Sequence, residues 1–132
     1  MENNLAAELK SLAENVKDKF NIDYTDAGVK HVDDYINSNR QNFTDESRER
    51  IIWNLGAFLG ECIIANYGGT WQQDKELNSI GIHFSDQNKA FPISKVAKQV
   101  DNGEEDSILS FYRAIPVVFK MNEPPKPWYK FW

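Results

Sequence analysis

Glu61 is a candidate for chemistry because it is a carboxylate on an otherwise apolar helix. The stretch Leu55 to Trp71 reads LGAFLGECIIANYGGTW, and only Asn54 and Glu61 interrupt the apolar surface between Ile51 and Ala65. A partly buried carboxylate that lines a pocket can act on a ligand or a substrate. A carboxylate on a narrow solvent-facing strip pairs instead with an arginine. The sequence leaves both alternatives open.

The histidines and the cysteine offer less. His31 and His83 lie on different elements without neighbouring ligands at metal-binding spacing, so we expect no metal site. His83 projects from the strand face opposite the apolar one, where it is either a structural histidine or a general base. Cys62 belongs to the core side of an apolar helix, where burial raises the pKa of a thiol. It is not expected to be a nucleophile.

Arg113 has no partner that the sequence identifies. It follows Tyr112 in SFYRAIP and can pair with the acidic run 104–106 or with Glu61. The glycines of YGGTW end a helix, whereas a phosphate loop begins one, so we expect no nucleotide cofactor and no other cofactor. An enzyme or a small-molecule site would require Glu61, His83 and Arg113 to converge on one pocket.

Hydrophobic periodicity predicts the elements that position these residues. Helical spacing changes to twofold alternation at Ile80, Ile82 and Phe84, which predicts an α+β fold in a single domain over residues 1–132. The predicted segments are N-terminal helices over 1–43, a long central helix over 44–69, a three-stranded antiparallel meander over 70–93, short helices over 94–119, and a Pro/aromatic tail over 120–132.

Finer boundaries follow from capping and breaking residues. Thr44 is expected to cap the central helix, and Gly68 with Gly69 to end it. The short helices are predicted from Ser94 to Val100 and from Asp106 to Ile115, where Pro116 ends the second. The acidic run 104–106 favours the N-terminus of that second helix.

Two glycines interrupt the central helix one turn apart. Gly56 and Gly60 each cost about 0.5–1 kcal/mol relative to alanine. They form a shallow groove that either receives the sheet or another helix, or stays open for a ligand or a partner. Asn66, near the end of this helix, lies on the core side and is expected to tie down the following turn.

Charge and composition restrict the partners. Fifteen basic and twenty acidic residues give a net charge of −5 without a basic run, which disfavours nucleic acid and anionic membranes. The start of the chain lacks the pattern of a secretory signal, and no apolar run is long enough to span a bilayer. A lone cysteine, Cys62, is most simply explained by a cytoplasmic location.

The segment 120–132 has an unusual composition. Trp128, Tyr129, Phe131 and Trp132 lie among three prolines, and free aromatic side chains of this kind promote aggregation. We expect this tail to dock on its own domain, on a second copy of the chain, or on another protein.

The motifs LGAFLGECIIANYGGTW and FPISKVAKQVDNGEEDSILSFYRAIP resemble small bacterial proteins classed as a domain of unknown function. The resemblance covers about residues 48–116 and implies no established activity. It singles out Gly56, Gly60, Glu61, Asn66 and Trp71. Because the chain is small and acidic and has no recognisable catalytic constellation, the sequence predicts a non-enzymatic protein-binding module, of the adaptor or immunity type. A pocket around Glu61, His83 and Arg113 is the alternative.

Overall fold

The central feature of the fold is one long helix against which other helices pack. The computed structural model describes residues 2–119, in which five α-helices and a three-stranded antiparallel sheet form an α+β fold, as the sequence predicted. The helices are α1 (Glu2–Phe20), α2 (Asp26–Asn39), α3 (Asp45–Tyr67), α4 (Pro92–Asn102) and α5 (Ile108–Val118). The strands are β1 (Thr70–Asp74), β2 (Ser79–His83) and β3 (Lys89–Ala90).

The ends of α3 are defined by local chemistry. The Thr44 hydroxyl accepts a hydrogen bond from the Ser47 backbone N–H at 3.1 Å, and the Ser47 hydroxyl accepts one from the Thr44 backbone N–H at 3.0 Å. This reciprocal capping box satisfies two backbone donors that the helix leaves free. At the other end, Gly68 adopts a φ of +87°, a conformation that glycine adopts without strain. The predicted cap and stop of this helix are confirmed.

The hydrophobic core surrounds α3, which packs mainly against α1 and α4. Phe58, Leu59 and Ile63 are fully buried on α3. Burial of one such side chain contributes about 1.5–3 kcal/mol relative to exposure. The other helices supply buried aliphatic side chains: Leu9 and Val16 from α1, Val29, Val32 and Ile36 from α2, Val96 from α4, and Ile108 and Ile115 from α5.

The sheet has the order β1-β2-β3 and presents one face to the helices. Trp71 pairs with Ile82 across the first ladder, and Ile82 pairs with Ala90 across the second. Residues directly opposite each other share a face of the sheet, and all three are buried. Ile82 therefore lies on a buried face, as predicted. Ile80 and Phe84 are only half-buried, and Gly81, on the opposite face, is buried beside Phe91, so the predicted contrast between the two faces of this strand is wrong at these positions.

The predicted boundaries after residue 90 are wrong. The meander ends at Ala90 instead of residue 93, because Pro92 begins α4, where its fixed φ suits the first helical turn. Pro116 does not end α5, which continues to Val118. So close to the helix end the proline removes only one backbone bond, and the Phe119 N–H still bonds to the Ile115 carbonyl at 3.0 Å.

The acidic run also lies elsewhere than predicted. Residues 103–106 form a separate 3₁₀ turn, and α5 begins after it with Ser107 as its cap. The Asp106 carboxylate accepts hydrogen bonds from Asn102 and Lys95, at 2.7 and 3.1 Å. These bonds hold the pKa of Asp106 below its ordinary value. The acidic run therefore lies in the turn between α4 and α5 and does not supply the first turn of α5.

Candidate functional site

Gly60 admits the indole ring of Trp71 to the surface of α3. A Cβ atom at position 60 would lie 2.0 Å from Cζ2 and 2.1 Å from Cη2 of this ring, far inside van der Waals contact. Trp71 is only 5% exposed, so its ring fills this part of the glycine groove. The missing side chain of Gly60 is thus a requirement of the sheet packing on the helix.

Gly56 performs the same role for α4. A Cβ there would lie 2.7 Å from the Cα of Ile93, so alanine would force the backbone of α4 outward. The two glycines therefore receive the sheet and another helix, and the groove is filled by packing. The alternative of a groove left open at Gly56 and Gly60 is excluded by these contacts.

Glu61 and Trp71 are brought together by this arrangement. The Trp71 indole Nε1–H donates a hydrogen bond of 2.7 Å to Oε2 of Glu61. The Glu61 side chain is half-buried. Glu61 follows Gly60 in the sequence, and Gly60 admits the Trp71 ring next to it. A hydrogen bond to a charged acceptor is stronger than a neutral one, so it orients both groups. Glu61 is thus half-buried against the sheet, and among residues 2–119 no ion pair joins it to an arginine.

A pocket of about 410 Å³ lies beside this pair, between α1, α3 and β1. Its walls include Lys10 from α1, Glu61 and Ile64 from α3, and Thr70 and Gln72 from β1. Glu61 therefore matches the alternative of a partly buried carboxylate that lines a pocket.

His83 and Arg113 do not join Glu61 in that pocket. Arg113 donates two hydrogen bonds of 2.8 Å to the carboxylate of Asp26, at the start of α2, and this pairing holds the pKa of Asp26 below its ordinary value. The predicted partners of Arg113 were wrong, because the packing of α5 on α2 brings Asp26, 87 positions away in the sequence, within hydrogen-bond distance of Arg113. His83 is half-buried, and its Nε2 has no hydrogen-bond partner among residues 2–119.

Asn66 is exposed, so its predicted burial is wrong. Its side-chain amide donates to the backbone carbonyls of Cys62 and Tyr24, at 2.9 and 3.0 Å. It therefore ties the end of α3 to the loop before α2, and not to the turn that follows α3. Cys62 is fully buried as predicted, and burial raises the pKa of its thiol.

A buried polar cluster joins α2, α4 and α5, and sequence reasoning missed it. Oδ1 of Asp33 accepts hydrogen bonds from the Ser107 hydroxyl at 2.7 Å and from the Leu109 N–H at 3.2 Å. The fully buried Gln99 accepts a third, from the Ile108 N–H at 2.9 Å. These acceptors satisfy backbone donors of the first turn of α5. These hydrogen bonds tie the start of α5 to α2 and α4.

An apolar surface lies at the C-terminal end of α5. Phe111, Ala114, Ile115, Val118 and Phe119 line a small pocket of about 140 Å³ that contains almost no polar atoms. Val118 is 65% exposed, and the adjacent Val117 is 76% exposed. We refer to these six residues as the α5 apolar surface. Trp128 and Trp132, the tail residues predicted to bind a partner, lie outside the described residues.

The described part of the chain shows neither a membrane-spanning helix nor a metal cluster. In residues 2–119 no helix is long and apolar enough to cross a bilayer. Within the same range, no group of three or more His, Cys, Asp or Glu side chains is placed to hold a metal ion.

Comparison of the chain with protein-family models, with curated proteins and with solved structures found no match. The resemblance to bacterial domains of unknown function therefore stays a prediction.

Proposed function

We propose that this chain is a protein-binding module of the adaptor or immunity type, and that it contacts its partner through the α5 apolar surface. The observation that carries the proposal is the pair of exposed valines, Val117 and Val118, beside an apolar pocket. Exposed apolar patches on a soluble domain are characteristic of interaction sites. A bacterial origin and a cytoplasmic location belong to the same proposal.

The chemistry of the surface defines the class of partner. The floor and rim of the pocket are aliphatic and aromatic, so the partner must insert an apolar side chain. The chain carries a net charge of −5, which favours association with a basic protein through long-range attraction. The proposed partner is therefore a basic protein with an apolar anchor, and nucleic acid and membranes are not proposed as partners.

The alternative function, a small-molecule or enzyme site shared by Glu61, His83 and Arg113, has weaker support. Arg113 is bonded to Asp26, and the pocket beside Glu61 is lined by neither Arg113 nor His83. The three groups would have to share a pocket for this function. We therefore favour protein binding.

Native mass spectrometry of the tagged full chain, purified gently from its host, tests the proposal. Val118→Asp places a charge on the α5 apolar surface, whereas Leu77→Asp places one on an equally exposed leucine in the β1–β2 turn. We expect a stoichiometric basic protein to accompany the unmodified chain and the Leu77 variant, and to be lost from the Val118 variant.

Three outcomes would contradict the proposal: a monomer without a protein partner, a dimer of this chain alone, or equal partner loss from both variants. A third variant, truncated after Lys120, tests whether the aromatic tail contributes to partner binding. Loss of the partner on this truncation, with Val118 intact, would extend the proposed interface to the tail.

A further inference from the structure

The pocket beside Glu61 has the features of a binding site for a small zwitterion, and we propose that it binds an aliphatic α-amino acid. The inference is independent of the proposed protein interface, because none of the residues that line this pocket belongs to the α5 apolar surface.

The Glu61 carboxylate is oriented through one of its two oxygens. One of its oxygens accepts the Trp71 indole N–H at 2.7 Å. Among residues 2–119 the other oxygen, Oε1, has no hydrogen-bond donor. A half-buried carboxylate that is already oriented has lost part of its rotational freedom, so an ammonium group can bind it at a lower entropic cost. The free oxygen is thus an acceptor for a ligand ammonium.

Another wall of the pocket carries the opposite charge. Lys10 also lines the pocket, and in the described part of the chain no ion pair joins it to Glu61. A cation alone would leave Lys10 without a counter-charge, and an anion alone would leave Glu61 without one. A ligand that carries both an ammonium and a carboxylate complements both walls, and its net charge is zero.

The remaining lining of the pocket is partly apolar and partly polar. Ile64 and Ala6 offer an apolar wall, and Thr70 and Gln72 offer a hydroxyl and an amide. The volume of about 410 Å³ is in the range of small-molecule sites. An amino acid with an aliphatic side chain would bury that side chain against Ile64 while its charged groups meet Glu61 and Lys10.

The test is a titration of the full ¹⁵N-labelled chain, followed by the Trp71 indole N–H signal in a two-dimensional NMR spectrum. This proton points at Glu61, so a group that binds the carboxylate must shift its signal. The probes are L-leucine, isopentylamine, which lacks the carboxylate, and 4-methylpentanoate, which lacks the ammonium. We expect a saturable shift with L-leucine at millimolar concentration, and a Kd at least about tenfold higher for each of the other two.

Two variants each remove one of the two charges that line the pocket. Glu61→Gln keeps an acceptor for the indole N–H and removes the charge, and Lys10→Met keeps the apolar stem of an exposed side chain. Each is expected to raise the Kd for L-leucine by about tenfold or more. The proposal is overturned if L-leucine causes no saturable shift, if the two half-probes bind as tightly, or if both variants bind L-leucine like the unmodified chain. These results do not bear on the proposed protein interface, which the mass-spectrometry experiment tests separately.

Discussion

Replacement of Gly60 by alanine tests the packing that organises the candidate site. The added Cβ would lie 2.0 Å from the Trp71 ring, whereas carbon atoms pack at about 3.5–4.0 Å. The ring must therefore retreat by about 1.5 Å from a buried position. Overpacking of this kind costs about 2 kcal/mol, and displacement of the ring from Glu61 costs about 2 kcal/mol more.

Alanine has a higher helix propensity than glycine, which stabilises the helix by about 1 kcal/mol and partly offsets this loss. The net expectation for Gly60→Ala is a loss of about 3 kcal/mol in the free energy of unfolding, a large part of the typical stability of a domain. Urea denaturation followed by far-ultraviolet circular dichroism measures this loss.

A double-mutant cycle distinguishes the steric cause from other causes. In a Trp71→Leu background the indole is gone, so Gly60→Ala should be neutral or stabilising by up to about 1 kcal/mol. The reasoning is refuted if Gly60→Ala changes stability by less than about 0.5 kcal/mol, or if its cost is the same in both backgrounds.

Three further predictions follow from the core and the charged surface. Asp33→Ala should lower the free energy of unfolding, measured by urea denaturation, by about 2–3 kcal/mol, because donors at the start of α5 lose their acceptor. Asp34→Ala, at the exposed neighbouring position, should lower it clearly less. Equal losses for the two variants would contradict the role of the cluster. The hydrogen bond from Lys89 holds the pKa of the Asp74 carboxyl below its ordinary value of 3.8. The ionised Asp74 carboxylate therefore stabilises the fold above pH 3.8, and this stabilisation is lost as the pH falls towards the pKa of the folded state. Asp74→Asn should flatten the acid limb of a plot of the free energy of unfolding against pH. An unchanged acid limb would refute this. The thiol of Cys62 should react with a thiol reagent only at the rate of unfolding, and rapid labelling of the folded chain would show that it is not buried.

Local signals in the sequence were sufficient to predict most of the helices and the sheet. Thr44 and Gly68 define the ends of α3 through hydrogen bonds and backbone angles that depend only on nearby residues. The alternation around Ile82 predicts the strand in the same local way, but it does not show that Gly81 on the opposite face is buried beside Phe91. The prediction was wrong at Pro92 and Pro116, because a proline is compatible with the first turn of a helix and with its last.

Contacts between distant segments could not be predicted. Periodicity shows that Gly60 needs a neighbour, but it does not show that the neighbour is the indole of Trp71. The pairing of Arg113 with Asp26 depends on how α5 crosses α2, which no short-range pattern encodes. The α5 apolar surface was missed because the periodicity of a helix does not show which of its apolar residues the rest of the fold leaves exposed.

Hydrogen–deuterium exchange on the complex tests the proposed interface most directly. The chain is compared alone and with the protein that accompanies it during gentle purification. The account predicts that added protection is concentrated in the amides of residues 111–119, at the α5 apolar surface. Protection confined to other segments, or no change at residues 111–119, would contradict the claim that this surface binds the partner.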